Sequence, residues 1–259
     1  MPLTRFQEAV ARLLSAGRSE ESHLAGGAAL HLEPNSKRYS NDLDYFHDSD
    51  GRVASAFADD RGRLESNGYG VEVELNQPGY IRAVVSRDGE STKVEWAHDS
   101  AWRFMPVVAD PRVGFRLHPV DLAVNKVLTL AGRDEPRDFL DIMHIHETIL
   151  PLGPLCWAAA GKDPGFTPKS LLELLRRRGK YRQEDFARLR LTESVDLHEL
   201  KTRWLQMLEE AEAFIESRPA AELGCLYWSP SRSRFIQPGE DEVVTHHGRP
   251  GGVLPRPLG

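Results

Sequence analysis

Along the chain, apolar positions first recur at a helical period and then switch to short alternating runs. From Leu3 to Ala16, Phe6, Val10, Leu13 and Leu14 share one helical face; Thr4 is placed as N-cap with Gln7 three positions on, and Gly17 is a stop. His23-Leu24-Ala25 then reads as a strand end, Gly26-Gly27 as a turn, and Ala28 to Leu32 as the start of a helix. A polar loop, Glu33 to Asn41, leads into an apolar strand at Asp42 to Phe46. After the turn HDSDG, Arg52 to Ser66 predicts a helix with Val53, Ala56, Phe57 and Leu64 inward. Three alternating runs follow, Tyr69–Leu75, Tyr80–Val85 and Thr92–Trp96, broken by NQPG and SRDGES. Those breaks carry hairpin chemistry, so the runs predict an antiparallel extension of the sheet.

His98 to Arg116 reads as irregular. Pro119 opens a helix, HPVDLAVNKVLTLAGR, with Val120, Val124, Val127, Leu128 and Ala131 as its buried stripe, and Pro136 opens another, EPRDFLDIMHIHETIL. PLGPLCWAAAGKDPGFTP reads as a link to a helix over Ser170–Arg178. Leu197, Leu200, Trp204, Leu208, Ala211 and Ile215 mark a long amphipathic helix. From Ser229 onward, ten of thirty-one residues are Pro or Gly, which predicts partial disorder. The pattern therefore predicts an α/β (α+β) protein in three parts. Residues 1–115 form a mixed sheet flanked by helices, 116–228 a helical part, and 229–259 a tail.

Composition narrows the setting. With 259 residues and a formal charge of −6, the chain has no global basic field to announce a nucleic-acid partner, although a local basic patch stays open. Cys156 and Cys225 are too few and isolated for a disulfide scaffold or a cysteine zinc site, which suits a reducing cytoplasm. The start, MPLTRFQEAVARLLSAG, is amphipathic and unlike a signal peptide, and no apolar run approaches the roughly 20 residues of a membrane span. A cytoplasmic protein without membrane contact is the expectation. HExxH, GxSxG, Walker and GxGxxG patterns are absent.

The chemistry concentrates between His23 and Phe46. Strand side chains alternate faces, so Asp42 and Asp44 point the same way, with roughly 7 Å between their Cα atoms. Carboxylates on an otherwise apolar strand are costly without a partner, and Mg²⁺, which takes oxygen ligands and completes its shell with water and phosphate, answers that cost. Gly26 and Gly27 allow positive φ and close approach of a phosphate at a helix start. Taken singly, a GG pair is an ordinary turn and a DLD an ordinary strand edge. Taken together, they are the equipment for phosphoryl or nucleotidyl transfer.

GGAALHL…SNDLDYF resembles the GG/GS…DxD signature of the DNA polymerase β-type nucleotidyltransferase superfamily. DLAVNKVLTLAGR and RDFLD further resemble the DLAxxKLxAxxxR and RDxxDL elements of its AbiEii/AbiGii toxin-like branch. The resemblance covers about residues 20–145. It implies a nucleotidyltransferase that moves a nucleoside monophosphate from an NTP to an acceptor, RNA (tRNA) foremost, as the toxin of a toxin–antitoxin pair with a cognate antitoxin as partner. Asp42 and Asp44 would hold Mg²⁺, and Gly26 and Gly27 would seat phosphates. Lys37, Arg38 and Ser40 form either a solvated turn or a lip over the triphosphate. Glu95 is the candidate third carboxylate, with Glu72, Glu74 and Asp99 as rivals. Lys126 would neutralise phosphate charge, and Asp141, with Asp138 as second choice, would orient the acceptor, take its proton or hold Lys126. The cluster Arg176 to Lys180 is either a solvated helix end or a phosphate contact. Two other classes stay open: a non-catalytic nucleotide-binding regulator and a transferase acting on small, aminoglycoside-like hydroxyl compounds.

Overall fold

The computed structural model describes residues 3–32, 36, 38–239 and 242–255. The chain divides into two compact units. One comprises Met1–His118 with Arg190–Thr192 and Pro250–Gly252, the other Pro119–Leu189 with Glu193–Arg249 and Val253–Gly259.

In the first unit the order is α1 (Arg5–Leu14), β1 (Ser22–Ala25), α2 (Gly26–Leu30), β2 (Asp42–His47), α3 (Asp50–Ser66), β3 (Gly70–Gln77), β4 (Tyr80–Arg87), β5 (Glu90–His98), β6 (Trp102–Arg103), β7 (Val108–Asp110) and β8 (Gly114–Arg116). Seven of these strands form one mixed sheet in the order β3-β4-β5-β2-β1-β8-β7. β2 runs parallel to β5 and β1 parallel to β8, while the other neighbours are antiparallel. The mixed sheet and its antiparallel extension follow the alternation read from the sequence.

Two details differ from it. The glycine pair opens α2 rather than preceding it in a separate turn, and Gly26, at φ +60°, makes the bend from β1 into the helix. The stretch His98 to Arg116 also contains strands. β7 and β8 close over a turn in which the Asp110 carboxylate accepts from the Arg112 backbone N–H at 2.9 Å, and Leu117 N–H donates to Leu24 carbonyl at 2.8 Å. Strands of three residues are too short to show a period.

The capping box at α1 is present as the sequence predicts, and α3 starts at a Ser49 cap. Across the face of the sheet that α3 covers, Leu24, Tyr45 and Trp96 lie side by side in register on β1, β2 and β5, all fully buried. Phe57 of α3 meets the Trp96 ring edge-on at 5.0 Å. Asp60 of α3, also fully buried, accepts from Trp96 Nε1 at 2.8 Å and Arg63 Nη1 at 3.0 Å, and pairs with Arg18. A buried acid so surrounded is satisfied. The covered face thus anchors β2 and β5, and their opposite face is where chemistry can be displayed.

The second unit holds α4 (Pro119–Gly132), α5 (Pro136–Thr148), α6 (Leu152–Lys162), α7 (Pro168–Arg176), α8 (Gln183–Phe186), α9 (Leu197–Ser217), and β9 (Cys225–Ser229), β10 (Arg234–Phe235) and β11 (Val244–His247). The stretch read as a link contains α6, whose residues from Leu152 to Ala160 are all buried. A helix apolar on every side has no stripe to betray it, and its Pro154 is tolerated because it sits in the first turn. Gly153 lets Phe214 of α9 approach, since a Cβ there would lie 2.9 Å from the Phe214 Cβ. Two of the four cations in the basic cluster are engaged within the unit. Arg178 donates to the Leu130 and Ala131 carbonyls at the end of α4, at 3.0 and 2.6 Å, and Arg176 pairs with Glu212 at 2.5 Å. After Ser229, where Pro and Gly content predicts partial disorder, the described residues include β10 and β11, which flank β9 in a three-stranded antiparallel sheet. Among the described residues, no helix is long and apolar enough to cross a membrane.

Candidate active site

Register decides which side chains meet. Ala25 of β1 is opposite Asp44 of β2, Asp44 is opposite Glu95 of β5, and Glu95 is opposite Arg82 of β4. Partners in register share a face, so these four stand in a row on the face opposite Tyr45 and Trp96. Asp42 is two residues before Asp44 and joins that face. Carboxylate oxygens of Asp42, Asp44 and Glu95 lie within 4.8 Å of one another, each side chain half-buried. At such a separation and an effective dielectric constant near 20, two unit charges repel by about 3.5 kcal/mol, which a divalent cation between them would reverse. An all-oxygen set of three half-buried carboxylates is the donor chemistry of a hard cation such as Mg²⁺.

The geometry separates Glu95 from its rivals. Glu74 pairs with Lys93 at 3.4 Å, and an Asp99 carboxylate oxygen accepts from the Ser100 backbone N–H at 2.9 Å. Among the described residues, neither these nor Glu72 belongs to the three-acid group. Arg82 Nε donates to Glu95 Oε1 at 2.8 Å and fixes that oxygen. Tyr80, partly buried and hydrogen-bonded to Glu95, has its phenol pushed up to about 12.

Gly26 is needed twice over. Its φ is +60°, and a Cβ there would lie 2.6 Å from Asp44 Cγ, inside the acid itself. A Cβ on Gly27 would lie 3.0 Å from Arg38 Nη2 and 3.1 Å from Ser40 Oγ, so the loop residues lean on the second glycine. Ser40 Oγ is 3.0 Å from the Asp42 carbonyl and 3.3 Å from Asp42 Oδ1. Arg38 and Ser40 are buried, which excludes the solvated-turn reading for both. Lys37 lies outside the described residues. Gln7 is the residue that sequence reasoning missed. Besides closing the capping box with Thr4, its Nε2 donates to the Ser40 carbonyl and Thr92 Oγ1, both at 3.2 Å, tying the loop to β5. Nothing local to Gln7 signals that second task.

In the second unit Lys126, Asp138 and Asp141 come together. Lys126 Nζ is 3.0 Å from Asp138 Oδ1 and 2.7 Å from Asp141 Oδ2, and Arg133 Nε is 2.7 Å from Asp138 Oδ2. Both acids are fully buried and the lysine is nearly so. Burial pushes the Asp138 carboxyl up, but Lys126 and Arg133 more than offset it and hold the group below the ordinary carboxylate value. Lys126 lies on α4 and Arg133 just past its end, while Asp138 and Asp141, three apart on α5, share a face.

Against known families, the chain matches a family described as nucleotidyl transferase AbiEii toxin, type IV toxin–antitoxin system, over residues 9–223. The chain belongs to the AbiEii nucleotidyltransferase toxin family. It is therefore a transferase of nucleotidyl groups of the toxin class. Among solved structures, MenT4, a nucleotidyltransferase toxin from Mycobacterium tuberculosis H37Rv, is 18% identical with a TM-score of 0.53, over 83% of each chain, and shows the same fold. JHP933 from Helicobacter pylori is 18% identical with a TM-score of 0.48, over 82% of this chain and 91% of its own. No curated protein sequence matches the chain.

Proposed function

We propose that this AbiEii-family transferase moves a nucleoside monophosphate from an NTP to a hydroxyl of an RNA acceptor, tRNA foremost, in the cytoplasm, with Mg²⁺ as its metal. The observation that carries the reading is the three-acid group with Gly26 against Asp44 and Gly27 against Arg38. It unites a hard-cation donor set with a backbone that a phosphate can approach closely.

Asp42 and Asp44, with Glu95, would hold Mg²⁺, which when bound offsets phosphate charge and increases the acidity of the acceptor hydroxyl. The acceptor oxygen forms a bond to the α-phosphorus as the bond to pyrophosphate breaks. Glu95, held through Oε1 by Arg82, would help hold the metal or accept the hydroxyl proton. Arg38 and the Gly27 backbone would bind the departing phosphates. For the second unit we propose that Lys126 acts as a cation toward phosphate charge and that Asp141, with Asp138, keeps it charged and oriented. Their support is the ion cluster together with a family match that spans both units. Family membership also supports a cognate antitoxin as partner.

The test is transfer of label from each α-labelled NTP, with Mg²⁺, to total tRNA or to a panel of small hydroxyl compounds. Label on tRNA that EDTA abolishes is the expected outcome. Label on small compounds alone would move the acceptor to that class. Nucleotide binding with label on no acceptor would leave a non-catalytic regulator.

A further inference from the structure

Ser36 and Arg38–Tyr39 are clasped by a segment about 150 positions away. Arg38 forms an isolated antiparallel bridge with Leu191, and Tyr39 N–H donates to the Arg190 carbonyl at 2.9 Å. The Arg190 guanidinium lies over the Tyr39 ring, 5.0 Å from its centroid. Thr192 Oγ1 reaches the Ser36 carbonyl at 3.4 Å. Within the loop, Ser36 Oγ donates to the Arg38 carbonyl at 2.9 Å. All of these residues belong to the first unit. The loop is therefore held on one side by Arg190–Thr192, while on the other Arg38 and Ser40 lean on Gly27.

Fixing a loop's backbone is what keeps a long side chain in a single geometry, since otherwise both would be ordered only when ligand arrives. Arg38 is buried under this arrangement although arginine is among the residues least often enclosed. Arg38 Nη1 donates to the Tyr39 carbonyl at 3.1 Å, so the guanidinium is set in advance, and a planar fork fixed beside a glycine backbone suits a phosphate.

We propose that Arg190–Thr192 is a positioning strap for the nucleotide site, holding Ser36, Arg38 and Tyr39 so that the Arg38 guanidinium is set beside Gly27 for the triphosphate. Arg190 and Tyr39 are positioning residues acting through Arg38. The inference rests on the reading of Arg38 and Gly27 as phosphate contacts.

The experiment compares wild type, Tyr39→Ala, Arg190→Ala, Tyr39→Phe, Arg190→Lys and Arg38→Ala. It also combines each strap variant with Arg38→Ala. Binding of the four ribonucleoside triphosphates with Mg²⁺ is measured by calorimetry, and KM and kcat by label transfer to tRNA. Wild-type binding and transfer test the functional reading by themselves; the variants test the strap. The expected result is a five- to tenfold weaker Kd and higher KM for NTP in both alanine variants, with kcat within twofold. Tyr39→Phe, which keeps the ring, and Arg190→Lys, which keeps a cation over it, stay closer to wild type than the alanine variants. In the Arg38→Ala background, the strap variants add nothing further. An unchanged Kd in the alanine variants, or an equal loss with and without Arg38, overturns the strap even where wild type transfers label. Far-ultraviolet dichroism and melting temperature close to wild type identify variants that have folded. If the alanine variants do not fold, Tyr39→Leu, which keeps bulk and removes the aromatic face, carries the same expectation.

Discussion

Asp44 carries constraints from both sides. Its carboxylate faces two other acids, and its neighbour across the sheet leads into a glycine whose missing Cβ the acid fills. Asp44→Asn is expected to lower label transfer by about a thousandfold, the scale of losing a charge-stabilising group in a transfer site. Folding should survive, because removing one of three like charges relieves repulsion. The same variant gives a second readout. Wild type is expected to melt higher with Mg²⁺ than with EDTA, by an amount equivalent to about 2.7 kcal/mol at a hundredfold excess over Kd, and Asp44→Asn should lose most of that rise. Gly26→Ala forces both a strained φ and a collision with Asp44 Cγ, so transfer activity should fall with it. Retention of full activity by Gly26→Ala would show that Asp44 need not stand where it does.

Among the elements, α4 and α5 depend on their buried ion cluster. Removing one partner leaves uncompensated charge, so Lys126→Met is expected to cost about 3–5 kcal/mol in urea unfolding, and Lys126→Arg less. The cluster also sets an acid limit. The Asp138 carboxyl lies below its ordinary value of 3.8, so its contribution is present above that pH and is lost as pH falls below 3.8 toward the lowered folded value. Asp138→Asn should flatten stability against pH in that window alone. On the covered face of the sheet, Trp96→Ala removes the ring that Phe57 and Asp60 pack around, and a loss of about 3–5 kcal/mol is expected.

For the whole molecule, two histidines govern behaviour in mild acid. His47 is fully buried at the end of β2, and burial with Arg18 and Arg52 nearby lowers it from 6.5 to about 3; burial lowers His118 to about 4. An unfolded chain protonates these groups below pH 6.5 while the folded chain does not, so their contribution is complete above 6.5 and declines as pH falls toward the folded values. Going from pH 7 to pH 5, His47 alone accounts for about 2 kcal/mol. Urea unfolding at pH 5 and pH 7 checks this, with His47→Phe expected to lose that share of the difference. In cells, expression is expected to arrest growth, and Asp44→Ala to relieve it; arrest that persists with Asp44→Ala would detach toxicity from the site.

The chain order of amphipathic helices and alternating strands is legible in the sequence, because burial of one face imposes a period and caps and prolines mark the ends. Asp42 and Asp44 share a face by strand geometry alone, and Asp138 and Asp141 share one by helical spacing, so these belong to the sequence. α6 escaped because a helix buried all round has no polar side to set a period, and β7 and β8 because three residues cannot show one. The choice of Glu95 over Glu72, Glu74 and Asp99, the reach of Gln7 to Ser40 and Thr92, and the clasp of Arg190 on Tyr39 belong to the tertiary structure. Each depends on which strands become neighbours and in what register, and a local pattern carries no record of partners that far away in the chain.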